Sequence, residues 1–360
     1  MNYFCTEGEK NINSKKLIQD NLLNWFEKNK RDLPWRKTKD AYKIWVSEIM
    51  LQQTRVDTVI EYYNRFIERF PTVEDLAAAE EQEVLKYWQG LGYYSRARNL
   101  HKGAKIIWEQ YTGVFPDHIE QVRKIPGIGA YTAGAILSIA YNLPYPAVDG
   151  NVLRVFSRVF SIKEDIAQPQ TVKLIEKMVK EYIPEGRASD FTESLMELGA
   201  LICVPVSPMC LACPLYHHCE ARQTGIQDEL PIKTKKVKSK QVHMIFCVIR
   251  YDDKILITKN PSNGLLGGMW GVPGKEVNAG GYEHTVESIL SELHIQPEHI
   301  KKLGKARHVF THMDWDMDIY MCKAANKGQI NQEHRWVGRE NIDDYPLPKV
   351  YQKVWEKIEW

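Results

Sequence analysis

The sequence predicts a multidomain protein in which a mostly α-helical domain is followed by a smaller α+β domain. Apolar residues recur at helical spacing through about the first two-thirds of the chain, and prolines lie between these segments. After Cys219 a polar, lysine-rich stretch precedes strand-like apolar runs. We therefore expect a helical domain over residues 1–224, a linker over 225–241 and an α+β domain over 242–360.

The apolar periodicity places the individual elements. The predicted helices of the first part are Leu17–Phe26, Ile44–Val56, Val59–Phe70, Glu83–Trp88, Ala104–Tyr111, Thr132–Ala140, Val152–Phe160, Val172–Tyr182 and Asp190–Leu201. The C-terminal part is predicted to contain a helix at Glu283–Leu293 and strands at Val242–Arg250, Lys254–Thr258, His308–Thr311 and Asp316–Cys322.

Composition and charge indicate an ordinary globular protein, with 44% hydrophobic and 26% charged residues. The chain has no apolar run long enough for a membrane span, and the N-terminal stretch lacks a signal-peptide core. We expect a cytoplasmic location. The net charge of +2 does not indicate a partner, but a basic segment precedes the second domain. It is either a solvated linker or a strip that lies along nucleic acid phosphates, and it comprises Lys233, Lys235, Lys236, Lys238 and Lys240.

Four of the seven cysteines lie close together in the sequence. Cys203, Cys210, Cys213 and Cys219 are separated by six, two and five residues, whereas Cys5, Cys247 and Cys322 are isolated. Without a secretory signal, such a group favours a metal site over disulfides. One compact run with a single Cys-x-x-Cys suits a [4Fe–4S] cluster better than zinc, which more often uses two separated pairs. The nearby His217 and His218 keep zinc open as an alternative.

The stretch IPGIGAYTA, Ile125 to Ala133, joins two predicted helices through a glycine-containing turn. Gly127 and Gly129 permit a tight turn, and the helix that follows presents unpaired N–H groups that favour an anion. This is the form of a helix-hairpin-helix element, which holds a DNA phosphate without selecting sequence. Any helical hairpin can use glycine, so the signal is weak when taken alone.

Two carboxylates are candidates for catalysis. Glu48 lies in a helix that is apolar nearly all round, where burial would raise its pKa and make it an acid near neutral pH. The alternatives are a structural glutamate paired with an arginine and a glutamate that faces solvent. Asp149 precedes a helix, and the simplest interpretation is an N-cap. As a pair, a protonated and an ionised carboxyl group are what glycosidic cleavage requires.

In combination these motifs resemble the MutY family of adenine DNA glycosylases, within the helix-hairpin-helix glycosylase superfamily. The resemblance runs from about Leu33 to Cys219 and is carried by WVSEIMLQQTRV, IPGIGAYTAGAIL, VDGNV and C-x6-C-x2-C-x5-C, with RDLPWR at Arg31–Arg36. It implies that Glu48 protonates N7 of adenine and that Asp149 stabilises an oxocarbenium ion. It also implies that Tyr131 partners the catalytic aspartate.

The resemblance implies further roles. Trp35, Arg36, Leu51 and Glu193 match positions around an extruded adenine, and Gln53 and Tyr93 match residues that wedge into the duplex. The related endonuclease III-like enzymes have a lysine where this chain has Tyr131, and its amine forms a Schiff base. Because tyrosine cannot, the expected enzyme is monofunctional and leaves an abasic site. The expected partner is double-stranded DNA with A:8-oxoguanine or A:G mispairs, bound by a monomer.

The C-terminal domain resembles a Nudix fold at LLGGMWGVPG, Leu265 to Gly274, and in the helix that follows. That helix keeps Glu292 but has Ser288 and Ser291 where metal-binding carboxylates are expected, which disfavours a pyrophosphatase. In the MutY family this domain recognises 8-oxoguanine, which implies that role for Phe310, Thr311 and His312. A pyrimidine-lesion glycosylase with lyase activity and a non-enzymatic damage-binding protein remain the alternatives.

Overall fold

The computed structural model describes residues 7–234, 240–277 and 281–358, with side chains from residue 14 onward. The chain divides into two compact units, Met1–Ala77 with Lys102–Lys235 and Ala78–His101 with Lys236–Trp360. The domain boundaries predicted from the sequence stay predictions, and they do not anticipate that Ala78–His101 groups with the C-terminal residues. Cys5 and, within the predicted linker, Lys235, Lys236 and Lys238 lie outside the described residues.

The described chain forms α-helices in both units, most of them in the first. In chain order they are α1 (Glu7–Asn29), α2 (Ala41–Leu51), α3 (Val56–Arg69), α4 (Val73–Ala78), α5 (Glu81–Trp88), α6 (Ser95–Tyr111), α7 (Ile119–Val122), α8 (Ala130–Tyr141), α9 (Gly150–Val159), α10 (Pro169–Tyr182), α11 (Ala188–Leu201), α12 (Glu220–Gln223), α13 (Gly281–Glu292) and α14 (Lys349–Trp355). Of these, α5, the start of α6, α13 and α14 belong to the second unit. None of the described helices is long and apolar enough to cross a membrane.

The prediction of one helix over Ile44–Val56 is wrong, because α2 ends at Leu51 and α3 begins at Val56. Gln53 lies between them with a φ of 58°, a left-handed conformation that does not continue a helix. The remaining predicted helices are confirmed, but α1 begins at Glu7 and α6 at Ser95, well before the predicted Leu17 and Ala104. The short helices α4, α7, α12 and α14 were not predicted, because helices of so few residues carry little periodicity.

Seven strands of the described chain form one mixed sheet in the second unit. They are β1 (Lys240–Tyr251), β2 (Lys254–Lys259), β3 (Trp270–Gly271), β4 (Gly274–Glu276), β5 (Pro297–Val309), β6 (Met313–Ala324) and β7 (His334–Val337). Their order is β3-β2-β1-β6-β5, with β4 on β1 and β7 on β2. β1 and β6 run parallel, whereas β5 and β6 form an antiparallel pair. Buried residues of β1 and β6 pack with α13 in an apolar core that includes Ile245, Cys247, Ile289, Leu290 and Cys322.

The predicted strand His308–Thr311 is also corrected. β5 ends at Val309, and the Phe310 N–H donates to the Met313 carbonyl at 2.7 Å, which closes a tight turn into β6. Phe310, Thr311 and His312 therefore form the turn of a hairpin, with Thr311 and His312 exposed.

Close packing in the first unit depends on Gly134, in the middle of α8. A β-carbon at this position would overlap the backbone of Pro146 and approach Ala147. The absence of a side chain thus lets α8 lie directly against the segment that leads to Asp149. Since α8 also packs against α2, three elements that carry candidate residues meet here.

We expect Gly134→Ala to destabilise the first unit by roughly 1–3 kcal/mol, because an added methyl group must displace backbone. Gly150→Ala is the matched control, since a β-carbon there meets nothing within 4 Å. Urea denaturation of both variants measures the difference, and equal midpoints would show that the close approach at Gly134 is not constraining.

Candidate active site

Glu48 lies on the buried side of α2. The helix begins at the Asp40 cap, whose side chain accepts from the Tyr42 N–H at 2.9 Å. Only 5% of Glu48 is exposed, and Trp45 and Ile49 beside it are buried as well. A carboxyl group in such surroundings loses the hydration that stabilises its charge. The sequence-based expectation of burial is thus confirmed.

Tyr131, in the first turn of α8, donates a hydrogen bond from its hydroxyl to Glu48 Oε2 at 2.7 Å. The hydrogen bond of Tyr131 thus goes to the glutamate, while its interaction with Asp149 is electrostatic, and its implied partnership with the aspartate stays a prediction. Burial, followed by the charges of Glu48 and Asp149, raises the pKa of Tyr131 well above its usual value. The phenol accordingly stays protonated and acts as a donor.

Asp149 caps α9, as the simplest interpretation of the sequence proposed. Its Oδ1 accepts from the N–H groups of Asn151 at 2.9 Å and Val152 at 2.8 Å, while Oδ2 accepts from the Asn151 side chain at 2.8 Å. Burial raises the pKa of Asp149, and these three donors oppose the rise because they favour the ionised form. Capping and a functional charge are compatible, since the helix N-terminus also stabilises an anion.

The two carboxyl groups interact electrostatically. Burial raises the pKa of Glu48 to about 7, the Tyr131 hydrogen bond lowers it, and the charges of Asp149 and Glu193 raise it further. Near neutral pH, Glu48 can therefore carry a proton beside an aspartate whose charge is supported by N–H donors. This is the division between acid and anion that cleavage of a glycosidic bond needs.

Two of the four residues that the resemblance places around an extruded base, Arg36 and Glu193, form an ion pair. Arg36 Nε lies 3.2 Å from Glu193 Oε1, and Lys39 Nζ lies 3.6 Å from Glu193 Oε2. Trp35 is buried and packs edge-on against Tyr63, with ring centroids 5.4 Å apart. Leu51 ends α2, one turn beyond Glu48, and is half-buried.

Glu197 was missed by the sequence analysis, although it lies one helical turn after Glu193 on α11. Its fully buried carboxylate accepts hydrogen bonds from Arg31 Nη2 at 2.7 Å and Arg36 Nη2 at 2.9 Å. Burial alone would raise the pKa of Glu197, but the hydrogen bonds from the two arginines outweigh it and lower the pKa to about 2. Glu197 thereby holds the arginine that contacts Glu193.

The glycine-containing turn lies between α7 and α8. Gly127 has a φ of 81°, and Gly129 caps α8, where a β-carbon would meet nothing within 4 Å. The first N–H groups of α8 emerge at this open end, because an α-helix leaves them without intrahelical partners. The local conformation is therefore that of the predicted helix-hairpin-helix element.

All four clustered cysteines line one cavity of the first unit, and none of them is in a disulfide. No group of three or more metal-binding side chains that could hold a single ion is found among the described residues. Burial raises the pKa of the Cys213 thiol to about 12, and the neighbouring sulfurs add to the rise. Thiolates at these positions thus need a positive centre to stabilise them.

Arg158 supplies part of the polar surroundings of the sulfurs. It is 1% exposed, and its Nη1 donates to Cys203 Sγ at 3.4 Å and to the Val204 carbonyl at 2.7 Å. Hydrogen bonds from backbone N–H groups reach Cys213 and Cys219. These backbone hydrogen bonds lower the pKa of both thiols, because they stabilise the ionised sulfur.

The two predicted wedge residues share an unusual backbone conformation. Gln53 and Tyr93 both have positive φ, 58° and 48°, and both are exposed. Such conformations cost free energy in non-glycine residues, and six other non-glycine residues of the described chain adopt them too. In the second unit, the hydroxyl groups of Tyr93 and Thr311 are in hydrogen-bond contact.

A cavity of about 330 Å³ in the second unit is lined both by the loop around Tyr93 and by the β5–β6 turn. Gly90–Tyr94 and His308–His312 line it, together with Leu265, Leu266 and Pro348–Val350. The Phe310 ring packs between His308 and Trp315, at centroid distances of 4.5 and 4.9 Å.

On α13, Glu292 forms an ion pair with Lys275, whose ammonium also donates to Ser288.

Comparisons with known proteins match both parts of the chain. Residues 46–184 match the HhH-GPD superfamily of base excision DNA repair proteins, and residues 244–357 match the NUDIX domain. An adenine DNA glycosylase of Buchnera aphidicola subsp. Acyrthosiphon pisum is 31% identical, covering 96% of this chain and 98% of its own. The chain belongs to the adenine DNA glycosylase family.

A second adenine DNA glycosylase, from Buchnera aphidicola subsp. Baizongia pistaciae, is 39% identical over 94% of this chain and 95% of its own. Among solved structures, a thermostable thymine-DNA glycosylase matches with a TM-score of 0.55 and 27% identity. That match covers 59% of this chain and 99% of the other. Family membership makes this chain a DNA N-glycosylase of base excision repair, built from a helix-hairpin-helix domain and a Nudix-like domain.

We expect a reaction that requires protonated Glu48 to slow as the pH rises through about 7. Because the Tyr131 hydrogen bond lowers the pKa of Glu48, Tyr131→Phe should move this alkaline limb to higher pH while it reduces the maximal rate. NMR titration of labelled glutamate carboxyls, with Glu48→Gln to assign the signal, measures the pKa directly.

Tyr42→Phe is the control for this titration, since it removes a buried hydroxyl that bonds the Phe70 carbonyl instead. An unchanged Glu48 titration in Tyr131→Phe would show that the phenol does not tune the carboxyl group.

Proposed function

We propose that this enzyme removes adenine mispaired with 8-oxoguanine or guanine by hydrolysis, without cutting the strand. The observation that carries the proposal is the buried Glu48, whose pKa is raised to about 7, beside Tyr131 and Asp149, the residue that caps α9. The adenine DNA glycosylase names of the relatives support the base that is removed. A cytoplasmic, monomeric enzyme remains the expectation.

Glu48 acts as the general acid. Its proton is transferred to N7 of adenine, which makes the base a better leaving group and contributes roughly 10²–10⁴-fold in rate. The extruded base lies near Trp35, Arg36, Leu51 and Glu193. The ion pair between Arg36 and Glu193 supports this, because it holds two polar side chains in a fixed arrangement.

Asp149 supports the positive charge that develops on the deoxyribose as the glycosidic bond breaks. Its carboxylate is fixed by three N–H donors and so needs little reorganisation when the charge appears. Water then completes hydrolysis. The lyase alternative needs an amine that forms a Schiff base, and Tyr131 stands where the related lyases carry it. An abasic site is therefore the product.

The four cysteines fit a [4Fe–4S] cluster. They line a common cavity, and Arg158 together with backbone N–H groups provides donors to sulfur. Cys203, Cys210, Cys213 and Cys219 would hold it. When bound, the cluster supplies a positive centre that stabilises four thiolates and closes the loop; the hydrolysis itself uses protein side chains.

DNA is held by the turn at Gly127 and Gly129, which offers N–H groups to a phosphate. The base opposite adenine is recognised by Phe310, Thr311 and His312. Support comes from their position in an exposed hairpin turn beside a cavity that Tyr93 also lines. Gln53 and Tyr93 then separate the strands while adenine leaves the stack.

Asp149→Asn should reduce single-turnover adenine release from A:8-oxoguanine duplexes by at least about 100-fold, because the charge is lost. Asparagine still accepts N–H groups at an N-cap, so the fold should persist. Asp165→Asn, at an exposed carboxylate, is the control. Wild-type strand breaks should appear only after alkali; borohydride-trapped enzyme on DNA, or no adenine release, would contradict the proposal.

Cys210→Ser should abolish bound iron and its visible absorbance, since a [4Fe–4S] cluster requires four thiolates. Cys247→Ala should retain both, because Cys247 is buried in the sheet of the second unit. Metal analysis of anaerobically purified protein measures the outcome, and stoichiometric zinc without iron would refute the cluster.

A further inference from the structure

Gln82, on the first turn of α5, makes a two-sided contact within the second unit. Its Nε2 donates to the Gly268 carbonyl at 3.1 Å, and its Oε1 accepts from Trp270 Nε1 at 2.9 Å. Trp270 is only 6% exposed, so in the folded protein its indole N–H donates to the Gln82 side chain instead of to water. A carboxamide suits the position because it offers one donor group and one acceptor on the same planar end.

Arg98, in the first turn of α6, contacts the same segment. Its guanidinium donates to the Gly267 carbonyl, and the residue is 9% exposed. Gly268 has a φ of 75°, and a β-carbon there would approach Glu81 and Leu85 at 3.3–3.4 Å. The Gly267–Trp270 segment is thus packed tightly against α5 and bonded to both helices that flank the loop Gln89–Tyr94.

This loop carries Tyr93, and its conformation is restricted from within. The Arg96 guanidinium lies 5.3 Å from the Tyr93 ring centroid and 5.4 Å from that of Trp88. Arg96 also donates to the carbonyl groups of Leu91 and Gly92. The loop is thus restrained at both ends by α5 and α6, and the Tyr93 hydroxyl that it carries contacts the hydroxyl of Thr311 in the turn.

We propose that Gln82 is a positioning residue for discrimination of the base opposite adenine, because it fixes the Gln89–Tyr94 loop against the Phe310–His312 turn. The inference rests on the proposed function, in which these two segments recognise the opposite base. Gln82 does not line the cavity between them. It acts through α5, and loosening it lets the loop and the turn move independently, which weakens the preference for one opposite base over another.

The test compares single-turnover adenine release from A:8-oxoguanine and A:G duplexes for wild type, Gln82→Leu and Trp270→Phe. Leucine removes both hydrogen bonds, whereas phenylalanine removes only the indole N–H and keeps an aromatic ring. We expect the ratio of the two rates to fall about fivefold in Trp270→Phe, which loses the net free energy of one hydrogen bond, and to fall further in Gln82→Leu, which loses two. The A:G rate should stay within about twofold of wild type.

Lys86→Ala is the matched control, since Lys86 lies on the same helix and its exposed ammonium forms an ion pair at 3.9 Å with Asp344. It should leave the ratio unchanged. Trp270→Phe keeps the inference testable if Gln82→Leu does not fold.

The outcomes separate the two proposals. If wild type releases no adenine, the proposed function fails and the inference with it. If wild type releases adenine with equal rates opposite both bases, or if it discriminates and both variants keep its ratio, the inference alone is overturned. A parallel fall in both rates with an unchanged ratio would also overturn it, since that is the signature of a general structural defect.

Discussion

The close approach of α8 to the Pro146–Ala147 backbone is the constraint on which the catalytic arrangement depends. It is possible only because Gly134 has no side chain. One end of α8 presents Tyr131, the packed segment continues to Asp149, and α2 brings Glu48. Three residues from distant parts of the sequence therefore meet because backbone packs on backbone, which is less adjustable than contact between side chains.

This arrangement buries the carboxyl group of Glu48, where its ionised form is unfavourable. Folding buries Glu48 beside two other acids, so ionising it opposes stability as the pH rises through about 7. Glu197 shows the opposite solution, because Arg31 and Arg36 surround it and its charge is stable when buried. In the first unit, Glu197 is therefore ionised and paired with arginines, whereas Glu48 can hold a proton near neutral pH. Of the two, Glu48 suits acid catalysis.

How much the sequence predicted depended on how local each signal was. The long helices, the burial of Glu48 and the capping by Asp149 follow from periodicity and short-range rules. The break at Gln53 did not, since a glutamine in a left-handed conformation leaves no compositional mark. Glu197 could not be identified either, because its arginine partners lie more than 160 residues away. Family resemblance assigned Phe310, Thr311 and His312 their role, but only the structure revealed that they turn a hairpin.

The grouping of Ala78–His101 with the C-terminal residues has a consequence for protein engineering. A fragment that ends at the lysine-rich stretch would separate α5 from Trp270 and Gly268 and leave both surfaces uncovered. Chimeras that exchange the Nudix-like domain between relatives would meet the same difficulty. The exchangeable module is discontinuous in the gene, and a recombination boundary that respects the packing must transplant the inserted helical segment together with the sheet.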